Sequence, residues 1–440
     1  MNVCVIGSGG REHAILWSLR KSPSIEELFV VPGSDAMEDL AQRGTFSWAD
    51  REQLLVFLKA HEVDLVVIGP EAPLVEGLTD YLRGEGFWVF GPSQKAAQLE
   101  GSKAFAKDLM KKYGIPTAAY QVFTKAGEAK VFAHSLGAPV VIKADGLAAG
   151  KGVVVATSLD QADQAIDHML EDNQFGSAGA CVVVEEFMEG EEASLLAFVD
   201  GRTLVPMVGA QDHKRIYDGD RGPNTGGMGT YAPAPILAES LKSQAMKTIL
   251  EPLVAAMAQE GMPYIGCLYA GLMITEEGPK VVEFNARFGD PETQVILPLL
   301  EGDLGRIMMA CAQGRLDPKQ VTWKNGSAAC VIMASQGYPT SSHKGDTISG
   351  PLDVGPQGEV IVFHSGTRYE NGSYQTNGGR VLGVVGLGPD LRSALDKAYG
   401  RVERISFDGA QYRHDIGAKA FKAEQATCLY AYKLVLRKDW

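Results

Sequence analysis

The chain has 440 residues, 45% hydrophobic and 22% charged, an ordinary globular composition long enough for about three domains. Its formal net charge of −13 argues against a nucleic-acid surface, which usually shows a basic domain or stripe. Six cysteines at positions 4, 181, 267, 311, 330 and 428 form no close C-x-x-C pair, which disfavours a thiolate zinc site and a disulfide framework.

The opening MNVCVIGSGG lacks a charged n-region and an adequate apolar h-region, and no uncharged apolar run reaches transmembrane length. A soluble, cytoplasmic protein with no membrane partner is expected. From residue 2 to about 91, short apolar runs (Asn2 to Ile6, Leu28 to Val31, Leu65 to Ile68, Trp88 to Phe90) alternate with helical patterns. This predicts a parallel, doubly wound sheet. Gly7, Pro32, Gly69 and Gly91 follow the strands and place loops at the carboxyl edge, where open α/β sheets bind ligands. Lys103 to Tyr113 reads as a basic helix ended by Gly114 and Pro116, with a domain boundary near residue 100. Pro139 to Phe187 reads as a small α/β unit. It has a strand ending at Lys143, a loop from Asp145 to Gly152, a strand to Ala156, a helix with Ser158 and Gln161 in capping-box spacing, and a strand from Cys181 to Glu185. A long helix is expected over Glu239 to Gln259, then a hairpin of Leu268 to Ile274 and Lys280 to Asn285 with Gly278 in its turn. The last hundred residues are strand-rich, with a helical tail from Gly417.

Several motifs carry chemistry. The turn Gly7-Ser8-Gly9-Gly10-Arg11-Glu12 lies between a strand and a helix, so its amides can cradle an anion. It is not the dinucleotide fingerprint, because Glu12 stands where the third glycine belongs and Pro32-Gly33 ends the second strand. Arg11 beside it suits a phosphate monoester. The glycine-rich stretch Asp145 to Gly152 is no Walker loop, yet its amides and Lys151 can close over phosphates. Lys143 ends an apolar run, where a lysine is costly without an anion. After the next strand come Glu185, Glu186 and Phe187, then Glu191 and Glu192, carboxylates able to accept from ribose hydroxyls.

The most informative stretch is Val281 to Glu292, VVEFNARFGDPE. With a period of two, Glu283, Asn285 and Arg287 share one strand face, and Phe284 and Ala286 the other. A carboxylate beside an amide oxygen is a hard donor pair suited to Mg²⁺ held jointly with nucleotide phosphates. Arg287 is then placed for a substrate carboxylate or developing phosphoryl charge. The stretch Gln211 to Arg215 precedes Pro223-Asn224-Thr225-Gly226-Gly227-Met228-Gly229, which reads as a loop whose backbone approaches a ligand. His213 receives no role.

These pieces, in this order, resemble the ATP-grasp superfamily and, within it, the phosphoribosylamine–glycine ligase family. The resemblance runs through GSGGREH, GPEAPL, GSKAFAKD, IKADGLAAGKG, VEEFMEGEEAS, QDHKR, GPNTGGMG, EFNARFGDPETQ and TNGGRVL. It implies an α/β protein with an N-terminal Rossmann-like substrate domain (1–100), an ATP-grasp domain (101–120 and 189–325) with an inserted lid (121–188), and a strand-rich C-terminal domain (326–440). It implies ATP near Lys103, Lys143, Gly150, Lys151, Glu185, Glu186, Phe187 and Glu192, and Mg²⁺ or Mn²⁺ on Glu283 and Asn285. Phosphoribosylamine and glycine would meet Gly9, Gly10, Arg11, Glu12, Gly69, Pro70, Glu71, Lys214, Asn224, Gly226 and Arg287. Arg287, Lys143, Lys151 and Asp212 would serve the chemistry. One departure is Ser34, where the family usually shows asparagine. The implied reaction phosphorylates the glycine carboxylate, and the amine of 5-phosphoribosylamine then displaces phosphate. The rivals are another ATP-grasp ligase, such as a carboxylase or dipeptide ligase, and a nucleotide-binding regulatory protein without turnover.

Overall fold

A computed structural model of the chain describes residues 1–147, 152–170, 181–353 and 358–422. The four N-terminal apolar runs form Val3–Gly7, Leu28–Pro32, Leu65–Ile68 and Trp88–Phe90. A two-residue strand, Gln42–Arg43, joins them in an all-parallel sheet. The first and third strands are buried at every residue, as continuous apolar strands between two helical layers must be.

The helix Lys103–Tyr113 begins at Ser102, whose hydroxyl accepts from the Phe105 amide at 3.1 Å. It ends at Gly114, whose φ of +67° suits glycine at a helix C-terminus. The small unit beyond it is an antiparallel sheet in the order Tyr120–Phe123, Val182–Glu186, Val140–Ala144, Val153–Ala156. Val140, Ile142, Val182 and Val184 pack on the helices Ala126–Leu136 and Leu159–Leu170. By the period of two, Lys143 and Glu185 take the opposite face. The capping box forms with a shift. Ser158 accepts from the Gln161 amide at 3.3 Å, but the Gln161 side chain accepts from Thr157, one residue earlier. Of the loop from Asp145 to Gly152, Gly150 and Lys151 lie outside the described residues, as does the chain after residue 422.

A second antiparallel sheet orders Leu204–Pro206, Glu191–Asp200, Ile265–Thr275 and Gly278–Asn285. The long helix between these strands is interrupted. A π-helical turn, Met246–Leu250, separates Glu239–Ala245 from Glu251–Gln259. Pro252 follows at once and has no N–H for the regular ladder. The C-terminal third contributes Ser327–Ala334, Val360–His364 and Arg380–Gly388 to a sheet that also holds Gln211–Asp212 and Gly229–Ala232. That sheet is therefore built across the expected boundary at residue 326. Glycine content had suggested a loop from Pro223, but Arg221–Asn224 pairs with Arg215–Tyr217 as a two-stranded ribbon. Proline is tolerated there because both strands are edges, and the loop begins at Thr225.

Three rings weld the N-terminal sheet to the second sheet. Phe90, Phe198 and Phe288 are almost fully buried, with centroids 6.1 to 6.4 Å apart. Aromatic contacts of this kind add about 0.5–1.5 kcal/mol per pair beyond area burial. They also fix the backbone immediately after Arg287.

Candidate active site

The N-terminal turn is organised around Glu12. Its side chain folds back so that one oxygen accepts from the Gly9 amide at 2.8 Å and the other from Arg11 Nε at 2.6 Å. To do so it passes between two strand ends that have no room for side chains. A Cβ on Gly7 would sit 2.4 Å from Glu12 Cγ, and one on Gly69 would sit 2.1 Å from its Oε1. Glu12, expected at the substrate, is thus 2% exposed and spent on the turn itself. Gly69→Ala should displace it, costing about 1–3 kcal/mol as an overpacked, partly unpaired site. Thermal unfolding tests this, and a wild-type midpoint would remove Glu12 from its organising role. Gly10 is equally constrained, since a Cβ there would meet Ser365 Oγ at 2.3 Å. Ser34 is buried, and its hydroxyl has no hydrogen-bond partner among the described residues.

Arg11 reaches the Phe288 carbonyl at 3.2 Å and lies 3.9 Å from Glu71, whose helix Glu71–Val75 starts at Pro70. The same Glu71 oxygen meets Arg287 Nε at 3.3 Å. Arg287 also pairs with Glu100 at 2.8 Å and donates to Asn285 Oδ1 at 3.3 Å. Glu100 in turn accepts from the Ala286 amide at 2.7 Å. Burial raises the Glu71 pKa, but Arg287 and Arg11 outweigh it and hold this carboxyl below the usual range. Glu100 is pushed the other way, because burial and the Glu71 charge exceed what Arg287 returns. Arg287 is itself raised, its burial overcome by Glu100 and Glu71.

The strand Gly278–Asn285 shows the expected alternation: Glu283, Asn285 and Arg287 are partly exposed, while Phe284, Ala286 and Phe288 are buried. A bulge interrupts it. Glu283 pairs with Gly271 and Val281 with Leu272, leaving Val282 without a partner in the ladder. The Val282 carbonyl, turned out by the bulge, accepts from Lys143 Nζ at 3.0 Å. Lys143 and Lys107 each lie 3.0 Å from the same Glu185 oxygen, and all three are at most 4% exposed. Lys103 donates to the Gly146 carbonyl at 2.8 Å, while Ser102 and the Ala104 amide hold Asp145. Glu186 accepts from the Ala119 amide, and Phe187 is exposed. Lys214 joins Glu192 at 2.7 Å and approaches Glu283 at 3.9 Å. Burial alone would raise Glu283, yet Lys214, Lys143, Lys103 and Arg287 together lower its pKa and keep it ionised.

Behind this face lies an acidic corner. Asp212 is raised well above the usual range by burial and by Glu292, and its Oδ1 is shielded without a hydrogen-bond partner among the described residues. One Glu292 oxygen accepts from Ser194 at 3.0 Å and from Tyr269 at 2.9 Å. The loop Thr225 to Met228 packs against it, and a Cβ on Gly227 would lie 2.8 Å from Asp212. Arg380 fastens this loop to the C-terminal sheet, donating to the Gly226 carbonyl at 2.6 Å and the Asp290 carbonyl at 2.9 Å. The Gly226 amide donates to the Tyr338 hydroxyl, and Asn224 is half-buried at the start of the loop. His213 is buried, with Nδ1 3.1 Å from the Gly229 carbonyl.

Residues 1–100, 101–293 and 328–419 match the N domain, the ATP-grasp (A) domain and the C domain of phosphoribosylglycinamide synthetase. The chain belongs to the phosphoribosylglycinamide synthetase family. It is 50% identical to the phosphoribosylamine–glycine ligase of Halalkalibacterium halodurans, over 97% of this chain and 98% of that one. It is 51% identical to the enzyme of Neisseria meningitidis serogroup A, over 96% and 99%. The crystal structure of phosphoribosylamine–glycine ligase from Thermotoga maritima superposes with a TM-score of 0.83 at 34% identity, over 94% of this chain and all of that one. The biotin carboxylase domain of Hydrogenobacter thermophilus 2-oxoglutarate carboxylase shares the fold, with a TM-score of 0.73 at 16% identity over 93% and 91%. The architecture is thus an N-terminal α/β domain, an ATP-grasp domain with its inserted lid, and a strand-rich C-terminal domain.

Within this family architecture, Glu283 and Asn285 fit a divalent cation. They are adjacent hard oxygens on one strand face, one of them held ionised. Among the described residues no group of three His, Cys, Asp or Glu could hold a metal. The remaining ligands must come from phosphates or water, as Mg²⁺ prefers. Four contributors were missed in the sequence: Lys107, Glu100, Glu292 and Arg380. Lys103 and Lys107 are four apart, a spacing that puts them on one helical face, which was the available signal for the first.

Proposed function

We propose that this protein is an ATP-dependent ligase of purine synthesis that joins glycine to 5-phosphoribosylamine, giving glycinamide ribonucleotide, ADP and phosphate. One observation carries the reading. Arg287 touches both halves of the site, donating to Asn285 on the metal-binding face and pairing with Glu71 beside the Arg11 turn. A nucleotide on one side and a phosphoribosyl group on the other would meet at this guanidinium. Small-molecule substrates in a cytoplasmic setting are the whole of the proposed chemistry. Among the described residues no helix is long and apolar enough to cross a membrane.

Glu283 and Asn285 would hold Mg²⁺ or Mn²⁺, which supplies charge neutralisation at the nucleotide phosphates. Lys143 and Lys103, from the lid and the helix beneath it, would bind those phosphates, and Lys151 would close over them. Asp212, whose Oδ1 has no partner among the described residues, and its neighbour Glu292 are placed to take the glycine ammonium, leaving its carboxylate directed at the γ-phosphoryl group. That carboxylate would attack phosphorus and ADP would leave. The phosphoribosylamine nitrogen, with its phosphate near Gly9, Gly10 and Arg11, would then attack the glycyl carbonyl and expel phosphate. Arg287 would stabilise the charge gathered on the acyl phosphate. Such catalysis is mainly positioning and charge neutralisation.

ADP release should require glycine and phosphoribosylamine together. Robust turnover with bicarbonate or D-alanine, and none with glycine, would sink the assignment. Asp212→Asn should raise the glycine KM about ten- to hundredfold, the worth of a hydrogen bond to a charged group, with the KM for ATP little changed. An unaltered glycine KM would exclude Asp212 from the ammonium subsite.

A further inference from the structure

The Lys143 ammonium lies within reach of a buried carboxylate, an arrangement that should silence it. Glu185 is 2% exposed, and a single lysine beside it would make a neutral pair with little attraction left for phosphates. The structure supplies a second cation. Lys107 Nζ stands 3.0 Å from Glu185 Oε2, the same oxygen that meets Lys143 Nζ at 3.0 Å. The other oxygen, Oε1, is shielded and has no hydrogen-bond partner among the described residues. Two cations therefore share one oxygen of one anion, and one unit of positive charge remains in the trio. Lys143 is also anchored directly on the strand that carries Glu283, through the Val282 carbonyl at the bulge, whereas Lys107 reaches that strand only at second hand. Lys107 is tied backward instead, donating at 2.7 Å to Thr117 Oγ1, which donates to the Val281 carbonyl.

We propose that Lys107 is a positioning residue of the nucleotide site: by taking up the Glu185 charge, it leaves the Lys143 ammonium free to meet the phosphates. This rests on the proposed role of Lys143 in nucleotide binding. The groups facing Lys107 are Glu185, Lys143, Glu186 and the Tyr120 ring, whose centroid is 5.5 Å from Nζ. Burial, opposed by Glu185 and reinforced by Lys143, brings the Lys107 pKa down to about 8. Above that pH Lys107 is neutral, Glu185 cancels Lys143, and nucleotide affinity should fall.

The test is calorimetric titration of the full chain with MgATP in the absence of glycine, from pH 7 to pH 9. Lys107→Met should bind about tenfold more weakly at pH 7, the effect of one lost charge interaction, and show no further loss up to pH 9. Lys107→Arg keeps its charge throughout, so it should bind near wild-type strength at pH 7 and lose the fall that the wild type shows near pH 8. Unchanged affinity in folded Lys107→Met overturns the inference. Should that variant fail to fold, a fall near pH 8 that persists in Lys107→Arg overturns it equally. Lys143→Met separates the two levels. If it binds MgATP as the wild type does, the nucleotide-site reading itself is wrong. If it is weakened while Lys107→Met is not, only the role of Lys107 fails.

Discussion

Glu283→Gln should lower turnover by about two to three orders of magnitude, or roughly 3–4 kcal/mol of barrier, while leaving the unfolding temperature almost unmoved. The substitution is isosteric, so Phe284 and Ala286 stay packed on the buried side of the strand. What it removes is a charge, and the amide that replaces it is a poorer ligand for a hard cation. In the protein alone, Glu283 sits among Lys214, Lys143, Lys103 and Arg287. Losing it therefore deprives several cations of an anion. Two facts keep that loss small. The Glu283 side chain is 35% exposed, and the nearest cation, Lys214, keeps its tighter contact with Glu192. Pairs so open to solvent contribute about 0–1 kcal/mol. A purely structural role for Glu283 makes the opposite forecast, a lowered melting temperature with near-normal activity wherever the protein is folded. Measuring both on one preparation with Mg²⁺ varied decides the matter, and wild-type turnover in the Gln variant would falsify the metal assignment.

Much of this site was legible because strand periodicity is simple. The alternation from Val281 to Phe288 places Glu283, Asn285 and Arg287 together, and the apolar run before Gly7 announces a strand that ends in a turn. Less visible was anything that depends on pairing at a distance. Nothing in VVEFN shows that Val282 is bulged, because the bulge arises from its register with Gly271 and Leu272. Lys107 sits in a helix rich in lysine, where a solvated face is the ordinary expectation, and its burial comes from groups distant in sequence or fold, Glu185 of the lid sheet, Thr117 and the Tyr120 ring. Glu12 could be read as a ligand for the substrate. Its actual partners, Gly9 and Arg11, are close in sequence, but the space that admits it is made by Gly69, fifty-seven residues on by the numbering. Arg380, in TNGGRVL, reaches Gly226 and Asp290 only because the C-terminal sheet incorporates strands from the middle of the chain.

Arg287→Met should behave unlike Glu283→Gln, losing stability and activity together. Its guanidinium serves Glu71 and Glu100 at 3.3 and 2.8 Å, and the Glu100 side chain is only 7% exposed. Removing the cation strands two neighbouring carboxylates. A broken buried pair costs about 3–5 kcal/mol, and the partial exposure of Glu71 points to the lower end, about 3 kcal/mol. Turnover should fall at least as far as in Glu283→Gln, since the contact between the Glu283–Asn285 face, proposed to hold the metal, and the Arg11 turn is gone. Arg287→Lys should recover part of the stability, because the charge returns, but a single ammonium cannot reproduce the fork that reaches Glu71, Glu100 and Asn285. The pH dependence carries the sign of the cause. In the wild type the depressed Glu71 carboxyl stabilises the fold above its unfolded pKa of about 4.3, and that contribution is lost as pH falls through the folded value. In Arg287→Met both carboxyls lose a cation and shift upward from their wild-type values, so the variant gains relative stability as pH falls and protons neutralise them. The stability gap should therefore be widest near pH 7 and shrink toward pH 4. Denaturant unfolding at both pH values measures it, and a gap that stays constant or widens in acid would show that Arg287 acts through packing rather than through its two carboxylate partners.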